Sequence, residues 1–375
     1  MGGFGVIPSW KLRRELLRIK QRFGVLPYKI FGKKKSRTYD NARRTNLKYT
    51  NGQFHLTEKI AIFLIYQPKG ISASTIETCR DLVKDGYSPF IVCNTPLSDH
   101  DRASLILHAW KIVERPNFGY DFGGYRDAIF HLWDEKIKPE KLMIFNDSIW
   151  FVPTTKGTFL DIFSETDGKV MGGAVRTKGQ RNWIESYFFK MTFSSFSNQK
   201  FIEFWRRYIL TDNKFIVIRT GERDFGVALE SGGITLEGIV TKRNFLETLA
   251  LEKPEFLYKT LIYATTAPKP FLVNERQALI QSFSDADSWK ASAMNHIRVT
   301  LEFSVPHVQF IFPCVKLLNF PFIKKSNDPL TMSTRSQYLR AVADGDLPCP
   351  SSSVLKEIQE RQTQPVRKNP PWMNA

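Results

Sequence analysis

Apolar runs and amphipathic segments alternate along residues 59–145. The run at 59–67, KIAIFLIYQ, is almost continuously apolar, which is typical of a strand buried on both faces. Residues 72–86 have apolar side chains at the spacing of a helix, and Gly86 is typical of the end of a helix. Three further apolar runs predict the next strands, at residues 89–94, 111–114 and 142–145. Strand–helix repetition at this interval predicts an α/β fold with a Rossmann-type, mainly parallel sheet flanked by helices.

The pattern becomes less regular after Pro153. Strands are predicted at 170–175, 183–190, 215–218 and 234–240, and helices at 199–210 and 222–231. Residues 246–330 have a mostly helical pattern, so we expect a core domain over 59–245 followed by a helical C-terminal segment. From residue 347 onward, Pro, Ser and charged residues dominate, which predicts a disordered tail over 347–375.

Basic charge is concentrated near the start of the chain. Residues 1–50 hold 14 Lys and Arg against Glu15 and Asp40, which accounts for +12 of the net charge of +17. We expect residues 1–50 to be a basic amphipathic extension and linker, with a helix that lies on an anionic membrane surface through residues 10–35. A solvated helix or a disordered tail is the alternative. Nucleic-acid binding is not expected, because no recognised module accompanies the charge. The apolar positions of the predicted helix are Trp10, Leu12, Leu16, Leu17, Ile19 and Phe23.

The remaining composition is that of a globular cytoplasmic protein. Hydrophobic residues make up 42% and charged residues 24% of the chain. The apolar run at 60–66 is shorter than the roughly 20 residues needed to cross a bilayer. Pro8 and nearby charges interrupt the first apolar segment, so no signal peptide is expected. The scattered cysteines predict reduced thiols without a zinc site, at Cys79, Cys93, Cys314 and Cys349.

A glycine-rich turn follows the predicted strand at 111–114. Glycines allow a backbone to pass close to a ligand. One helix later, the strand at 142–145 ends in Asn146, Asp147 and Ser148, and in a doubly wound sheet these two strand ends flank one crevice. The pairing predicts a site for a phosphorylated sugar donor. The alternatives are a tight strand-to-helix connection and, for Asp147, a helix cap. The turn carries Asn117, Gly119, Asp121, Gly123 and Gly124.

Six segments stand out along the chain: RPNFGYDFGGYRDA at 115–128, IFNDSIWFVP at 144–153, ESYFF at 185–189, FW at 204–205, ERDFGVALESGG at 222–233 and NFPFIKK at 319–325. In this order they resemble the rhamnan synthesis protein F family, whose members are glycosyltransferases of bacterial surface polysaccharide and lipopolysaccharide O-antigen synthesis. The resemblance spans residues 59–325 and implies a glycosyltransferase fold of the GT-A type.

The resemblance also implies roles for the candidate site residues. In such folds a D-x-D sequence at a strand end holds a divalent metal on the diphosphate of the donor. Asp147 would take the position next to the metal, although Asn-Asp-Ser offers one carboxylate here instead of two. Mg²⁺ or Mn²⁺ could still bind through one carboxylate together with phosphates and water. The nucleotide or diphosphate would be contacted by Asn117, Gly119, Asp121, Gly123, Gly124 and Arg115.

Glycosyl transfer adds two further requirements. Positive charge must stabilise the departing diphosphate, and a carboxylate must take the proton of the acceptor hydroxyl if the reaction inverts the anomeric centre. Glu222 and Asp224 are the candidate bases, with Glu185 in reserve; surface or capping roles are the alternative for each. Besides Arg115, the candidate cations are Arg126, Arg176 and Arg181. An aromatic group could line an acceptor cleft or belong to the core, namely Trp183, Tyr187, Phe188 and Phe189.

Together these features indicate a cytoplasmic enzyme located peripherally on the inner face of the cell membrane. It would transfer a sugar, such as rhamnose or another deoxyhexose, from a nucleotide-sugar donor to a surface polysaccharide or lipid-linked saccharide acceptor, with residues 246–330 completing the acceptor side. Two alternatives stay open. One is a non-catalytic carbohydrate-binding or scaffold protein with the same fold, and the other is a different nucleotide-using enzyme such as a nucleotidyltransferase.

Overall fold

A computed structural model describes residues 32–155, 157, 168–178, 181–265 and 269–366. A large mixed sheet is its central element, with the order β1-β4-β3-β2-β5-β9-β7-β10 and with β8 paired to β7, while β6 and β11 form a separate two-stranded sheet. The strands are β1 (Lys48–Asn51), β2 (Lys59–Ile65), β3 (Tyr87–Cys93), β4 (Lys111–Glu114), β5 (Lys141–Asn146), β6 (Ile149–Phe151), β7 (Lys169–Lys178), β8 (Arg181–Ile184), β9 (Phe188–Thr192), β10 (Thr235–Val240) and β11 (Phe322–Lys324).

Helices flank the large sheet and make up most of the chain after β10. One of the connections, Val217–Arg223, is a π-helix. The α-helices are α1 (Lys33–Asn41), α2 (Arg43–Asn46), α3 (Ala73–Lys84), α4 (Asp99–Ile106), α5 (Tyr120–Asp134), α6 (Phe193–Phe196), α7 (Gln199–Arg207), α8 (Lys214–Ile216), α9 (Asp224–Ser231), α10 (Lys242–Ala250), α11 (Pro254–Ile262), α12 (Pro270–Gln281), α13 (Asp287–Thr300), α14 (Pro306–Gln309), α15 (Ile311–Lys316), α16 (Pro329–Ala343) and α17 (Ser352–Gln362).

The strand predicted at 59–67 is β2, and it lies in the centre of the parallel part of the sheet. β4, β3, β2 and β5 run parallel to one another. Alternate residues of β2 enter two different hydrophobic cores, Ile62 and Leu64 on one face and Phe63 and Ile65 on the other. Burial on both faces accounts for its continuous apolar sequence. The predicted class, an α/β sheet flanked by helices, is therefore confirmed.

The carboxyl ends of the four parallel strands form one edge of the sheet, which we call the carboxyl edge. At this edge Tyr66 directly follows β2, and Asp147 directly follows β5. β9 is antiparallel to β5, with Phe188 opposite Phe145, so the turn at 185–187 that precedes β9 reaches the same edge. This antiparallel neighbour brings a later part of the chain to the edge where parallel sheets bind their ligands.

The first domain boundary differs from the predicted one. Residues 33–50 were expected to belong to a linker, but Lys33–Asn41 is a helix whose Tyr39 is buried in the core. β1 then pairs antiparallel with β4 and extends the sheet. The body of the protein therefore includes these residues. The predicted membrane helix at residues 10–23 lies outside the described residues.

Two strand predictions after Pro153 are corrected. The segment 215–218 is helical, because four apolar residues in a row fit a buried helix as well as a strand. The segment 183–190 is two strands, β8 and β9, separated by a turn at 185–187. That interruption places Glu185 and Ser186 at the carboxyl edge instead of within a strand.

The predicted tail is also corrected, because residues 347–366 are ordered against the body. Ser351 caps α17 by accepting a hydrogen bond from the Val354 backbone N–H, 3.3 Å away. Val354 and Ile358 are buried, and their spacing of four residues gives the helix one apolar face. Two apolar positions among many polar ones are too weak a pattern to predict from composition. Among the described residues, no helix is both long and apolar enough to cross a bilayer.

Candidate functional site

The two segments singled out in the sequence meet at the carboxyl edge. Nδ2 of Asn146 donates a hydrogen bond to Oδ2 of Asp121 at 3.1 Å, joining the end of β5 to the first turn of α5. Oδ2 of Asp147 accepts a hydrogen bond from the Tyr66 backbone N–H at 2.9 Å, so its carboxylate lies beside the end of β2. Asp121 and Asp147 therefore face one region of the molecule, as the spacing of the motifs predicts.

Both of these carboxylates have raised pKa values. Burial, with a further contribution from the neighbouring Asp147 carboxylate, raises the pKa of Asp121 to about 6. Burial also raises the pKa of Asp147, while the ammonium of Lys325 opposes that change. Neighbouring carboxyl groups with raised pKa values are a common feature of functional sites, so this edge is the candidate site of the protein.

Glu222 is the third carboxylate of the edge, and it comes from the π-helix. Its Oε1 accepts hydrogen bonds from Oγ of Ser186 at 2.8 Å and from the Ser186 backbone N–H at 3.3 Å. Burial raises the pKa of Glu222, and its charge in turn contributes to the raised pKa of Asp121. π-helical turns are often found at functional sites, because the extra residue re-aims a side chain.

Glu185 has a different environment from Glu222, although both belong to this edge. Its carboxylate forms ion pairs with Arg176 and with Nζ of Lys324, the latter at 2.6 Å, and Nε2 of His307 lies 3.7 Å away. Burial alone would raise the pKa of Glu185, but Lys324, His307 and Arg176 together hold it well below the usual range. Glu185 is consequently a weak base.

Lys324 and Lys325 belong to the site but were not among the predicted residues. The Lys325 backbone N–H donates to the Ser148 carbonyl at 2.7 Å, which brings the end of β11 next to Asp147. The pair was visible in the sequence as the end of the NFPFIKK segment. Its position opposite Asp147 depends on the pairing of β6 with β11, which no local pattern reveals.

The glycines of the turn have a packing role in the structure. Gly119 has a φ of +85° and begins α5. A Cβ on Gly124 would lie 2.0 Å from Cδ1 of Leu64, so this glycine lets α5 approach β2 closely. A Cβ on Gly123 would lie 2.1 Å from the Phe118 carbonyl oxygen. The sequence predicted that these glycines let the backbone approach a ligand. In the structure they instead let the turn and α5 pack closely against other parts of the protein.

Arg115 likewise does not fit its expected contact with the donor. Its side chain is fully buried, and Nε donates to the equally buried carboxylate of Asp127 at 2.7 Å. Its other donors bind Oδ1 of Asn94 and the Phe118 carbonyl oxygen, both at 2.6 Å. Asn117 is exposed at the same edge, and its Oδ1 accepts a hydrogen bond from Asn94. Arg115 thus stabilises the turn and leaves no accessible surface for a phosphate.

Other candidates lie away from the edge. Asp224 is exposed in an outer groove of about 350 Å³ next to α7, and the cations that act on its carboxylate are Arg181, Arg219 and Arg223. Arg126 is buried and donates to the Tyr208 carbonyl at 3.0 Å. Of the two roles considered for the aromatic group, the structure shows burial: Tyr187, Phe188 and Phe189 belong to the two hydrophobic cores, and Trp183 is buried as well.

The donor set at the edge does not match a metal held by the protein. Across the described ranges, no group of three His, Cys, Asp or Glu side chains could hold a metal ion. Asp147 offers one carboxylate, whose Oδ2 already accepts the Tyr66 N–H and whose neighbour is the cation of Lys325. A divalent ion at Asp147 would have to take its remaining ligands from phosphate and water.

Comparison with known proteins agrees with the sequence motifs. The family model described as rhamnan synthesis protein F matches residues 90–299, which is more than half of the chain. The protein therefore belongs to the rhamnan synthesis protein F family, as the resemblance predicts. An uncharacterised protein of Sinorhizobium fredii, y4gN, is 27% identical over 363 residues, covering 94% of this chain and 90% of its own.

A solved structure was also matched. The mannosyltransferase PcManGT of Pyrobaculum calidifontis, in complex with GDP-mannose and Mn²⁺, is 9% identical and aligns over 86% of each chain with a TM-score of 0.26. Similarity at this level carries no argument about fold, substrate or metal, so the function proposed for this chain rests on its own residues and on its family.

Proposed function

We propose that the protein is a glycosyltransferase that uses a nucleotide-sugar donor. Membership of the rhamnan synthesis family supports a role in polysaccharide assembly. The observation that carries the proposal is the meeting of Asp121, Asp147 and Glu222 with Lys325 at the carboxyl edge. This combination of proton-accepting carboxylates and a cation suits a reaction in which an acceptor hydroxyl loses a proton while a diphosphate leaves.

Glu222 is the proposed base. Its carboxylate is held by Ser186, and no ion pair joins it to another described residue, whereas Glu185 is paired with Lys324. In the proposed step the acceptor oxygen attacks the anomeric carbon, its proton passes to Glu222, and the bond from that carbon to the diphosphate breaks. Such a displacement inverts the anomeric centre. Asp121 and Asp147 would orient the donor, since carboxylates bind sugar hydroxyls well.

Rhamnose or another deoxyhexose is the proposed sugar, and a surface polysaccharide or lipid-linked saccharide is the proposed acceptor. These assignments rest on the family alone. The proposed location is the inner face of the cell membrane, because residues 1–31 carry basic and apolar residues suited to an anionic surface.

The test is a donor panel followed by a matched pair of substitutions. Purified protein is incubated with nucleotide sugars, including a nucleoside-diphosphate rhamnose, and with oligosaccharide acceptors, while free nucleoside diphosphate and glycosylated product are measured. Glu222→Gln should lower kcat by about 10²- to 10⁴-fold with little change in KM. Asp224→Asn, two residues along the chain but facing the outer groove, should behave like the wild type.

Two outcomes would contradict the proposal. Turnover by Glu222→Gln at the wild-type rate would remove this residue from the chemistry. Absence of product with every donor, together with retained saccharide binding, would favour the non-catalytic carbohydrate-binding alternative.

A further inference from the structure

Lys325 presents an uncommitted ammonium group to the carboxyl edge. Its Nζ stands over the Trp150 ring, 5.1 Å from the ring centroid, and forms no hydrogen bond with another described residue. The neighbouring Lys324, by contrast, uses its Nζ to bind Glu185 at 2.6 Å. Arg115, the cation expected here from the sequence, is fully committed to Asp127. The three N–H donors of Lys325 are therefore available for an anionic ligand.

The backbone of Lys325 is fixed from two sides. Its N–H donates to the Ser148 carbonyl at 2.7 Å, and its own carbonyl accepts a hydrogen bond from Nε of Arg361 at 2.9 Å. One residue earlier, the Lys324 carbonyl accepts from Nη1 of the fully buried Arg335 at 3.1 Å. A lysine whose backbone is held at this many points presents its charge at a defined place, which reduces the entropy lost on binding.

The aromatic platform under the ammonium is fixed as well. Nε1 of Trp150 donates to Oε2 of Glu357 at 2.8 Å. The other oxygen of Glu357 accepts the Ser74 backbone N–H at 2.8 Å, in the first turn of α3. α17 therefore supplies both Glu357, which orients the platform, and Arg361, which holds the lysine carbonyl. Burial lowers the pKa of Lys325, and the neighbouring carboxylates of Asp147 and Glu357 oppose that change. The face of the indole ring attracts the cation as well.

We propose that Lys325 binds the diphosphate of the donor. Its ammonium group would supply the positive charge that a bound metal ion would otherwise have to provide. The proposal rests on the function inferred above. It follows from the uncommitted ammonium beside Asp147 and from a donor set that does not match a metal held by the protein. A lysine contacts phosphate as a point charge and needs no further protein ligands to do so.

The test uses the full chain and inorganic pyrophosphate as the probe, with nucleoside diphosphates as a second set. Binding is measured by calorimetry in EDTA and again with Mn²⁺. The wild type should bind pyrophosphate in EDTA, and Lys325→Gln should weaken binding by about 10- to 100-fold. Lys325→Arg should bind within a few-fold of the wild type because it keeps the charge. Lys356→Gln, at an exposed lysine on α17, is the matched control and should leave binding unchanged.

Each other result has a definite meaning. Binding that requires Mn²⁺ and is equal in wild type and Lys325→Gln overturns the inference but leaves the glycosyltransferase proposal in place. No binding of pyrophosphate or of any nucleoside diphosphate, with or without Mn²⁺, overturns both. If circular dichroism shows that Lys325→Gln is poorly folded, the folded variant Lys325→Arg is used to test the inference instead. Loss of pyrophosphate binding in Lys325→Arg would contradict a simple charge contact, because this variant keeps the positive charge.

Discussion

Nδ2 of Asn146 and Oδ2 of Asp121 are joined by a hydrogen bond of 3.1 Å. This bond links two segments that the sequence separates by a whole helix, and it sets the Asn146 amide close to the Asp121 and Asp147 carboxylates. Burial raises the pKa of Asp121, and the nearby Asp147 carboxylate raises it further. The protonation of this edge should therefore affect stability as well as activity.

The first prediction concerns pH and Asp121. Its pKa is raised in the folded state to about 6, so the folded protein holds this proton more tightly than the unfolded chain does. Its contribution to stability is therefore fully present below the unfolded pKa near 4 and is lost as the pH rises through about 6. The loss is at most about 3 kcal/mol and is reduced by solvent screening of this half-buried group.

Urea unfolding of the wild type and of Asp121→Asn at several pH values from 4 to 7 measures this effect. The free energy of unfolding of the wild type, minus that of the variant, should fall over this range. A difference that stays constant would mean that Asp121 ionises normally in the folded protein.

The second prediction concerns Arg115, for which the structure indicates a stabilising role. Arg115→Met would leave the carboxylate of Asp127 buried without its partner, which should destabilise the protein by about 3–5 kcal/mol. Arg243→Met removes an exposed pair with Glu247 and should leave the free energy of unfolding almost unchanged. Denaturant unfolding compares the two. If Arg115→Met lowers the affinity for the donor and leaves the stability unchanged, the result would support the ligand contact that the sequence suggests for Arg115.

The third prediction tests the packing of α5 on β2. Gly124→Ala would place a methyl group within 2.0 Å of Cδ1 of Leu64 and should destabilise the protein by about 1–3 kcal/mol. Leu64→Ala alone should cost about 2–5 kcal/mol because it leaves a cavity. The double variant should be more stable than the sum of the two effects implies, since the alanine methyl partly fills that cavity. Additive effects would show that the two residues do not compete for space.

The fourth prediction concerns the basic segment. Removing residues 1–31 leaves α1 and the rest of the body intact but deletes seven of the Lys and Arg residues, so binding to vesicles containing anionic lipid should be lost. Sedimentation with anionic and with neutral phosphatidylcholine vesicles measures this. Equal binding of the shortened and full-length proteins to anionic vesicles would assign the membrane contact to another surface.

The parallel part of the fold could be predicted because each of its strands has a local signal. β2 and β5 are buried apolar runs, and helices separate the parallel strands as the pattern requires. The sequence placed Asp121 and Asp147 at the same edge of the sheet, because the carboxyl ends of neighbouring parallel strands lie at one edge. Glu222 lies at the same edge, and its π-helical setting left no signal in the sequence.

Residues that depend on long-range pairing could not be predicted. Lys325 reaches the edge because β11 pairs with β6, more than 170 positions earlier. Arg115 and Arg126 look like free cations in the sequence, and only the fold shows that they are buried among acidic and carbonyl partners. Charge in a sequence indicates what a residue can bind, whereas burial determines whether a ligand can reach it.

The helix at Ser352–Gln362 has a consequence for biosynthesis. It supplies Glu357 under Trp150 and Arg361 behind Lys325, so both arrive after every other piece of the edge has left the ribosome. A nascent chain that has already folded its sheet would still lack these two supports. The carboxyl edge should then reach its final geometry only after residues 352–362 have been synthesised.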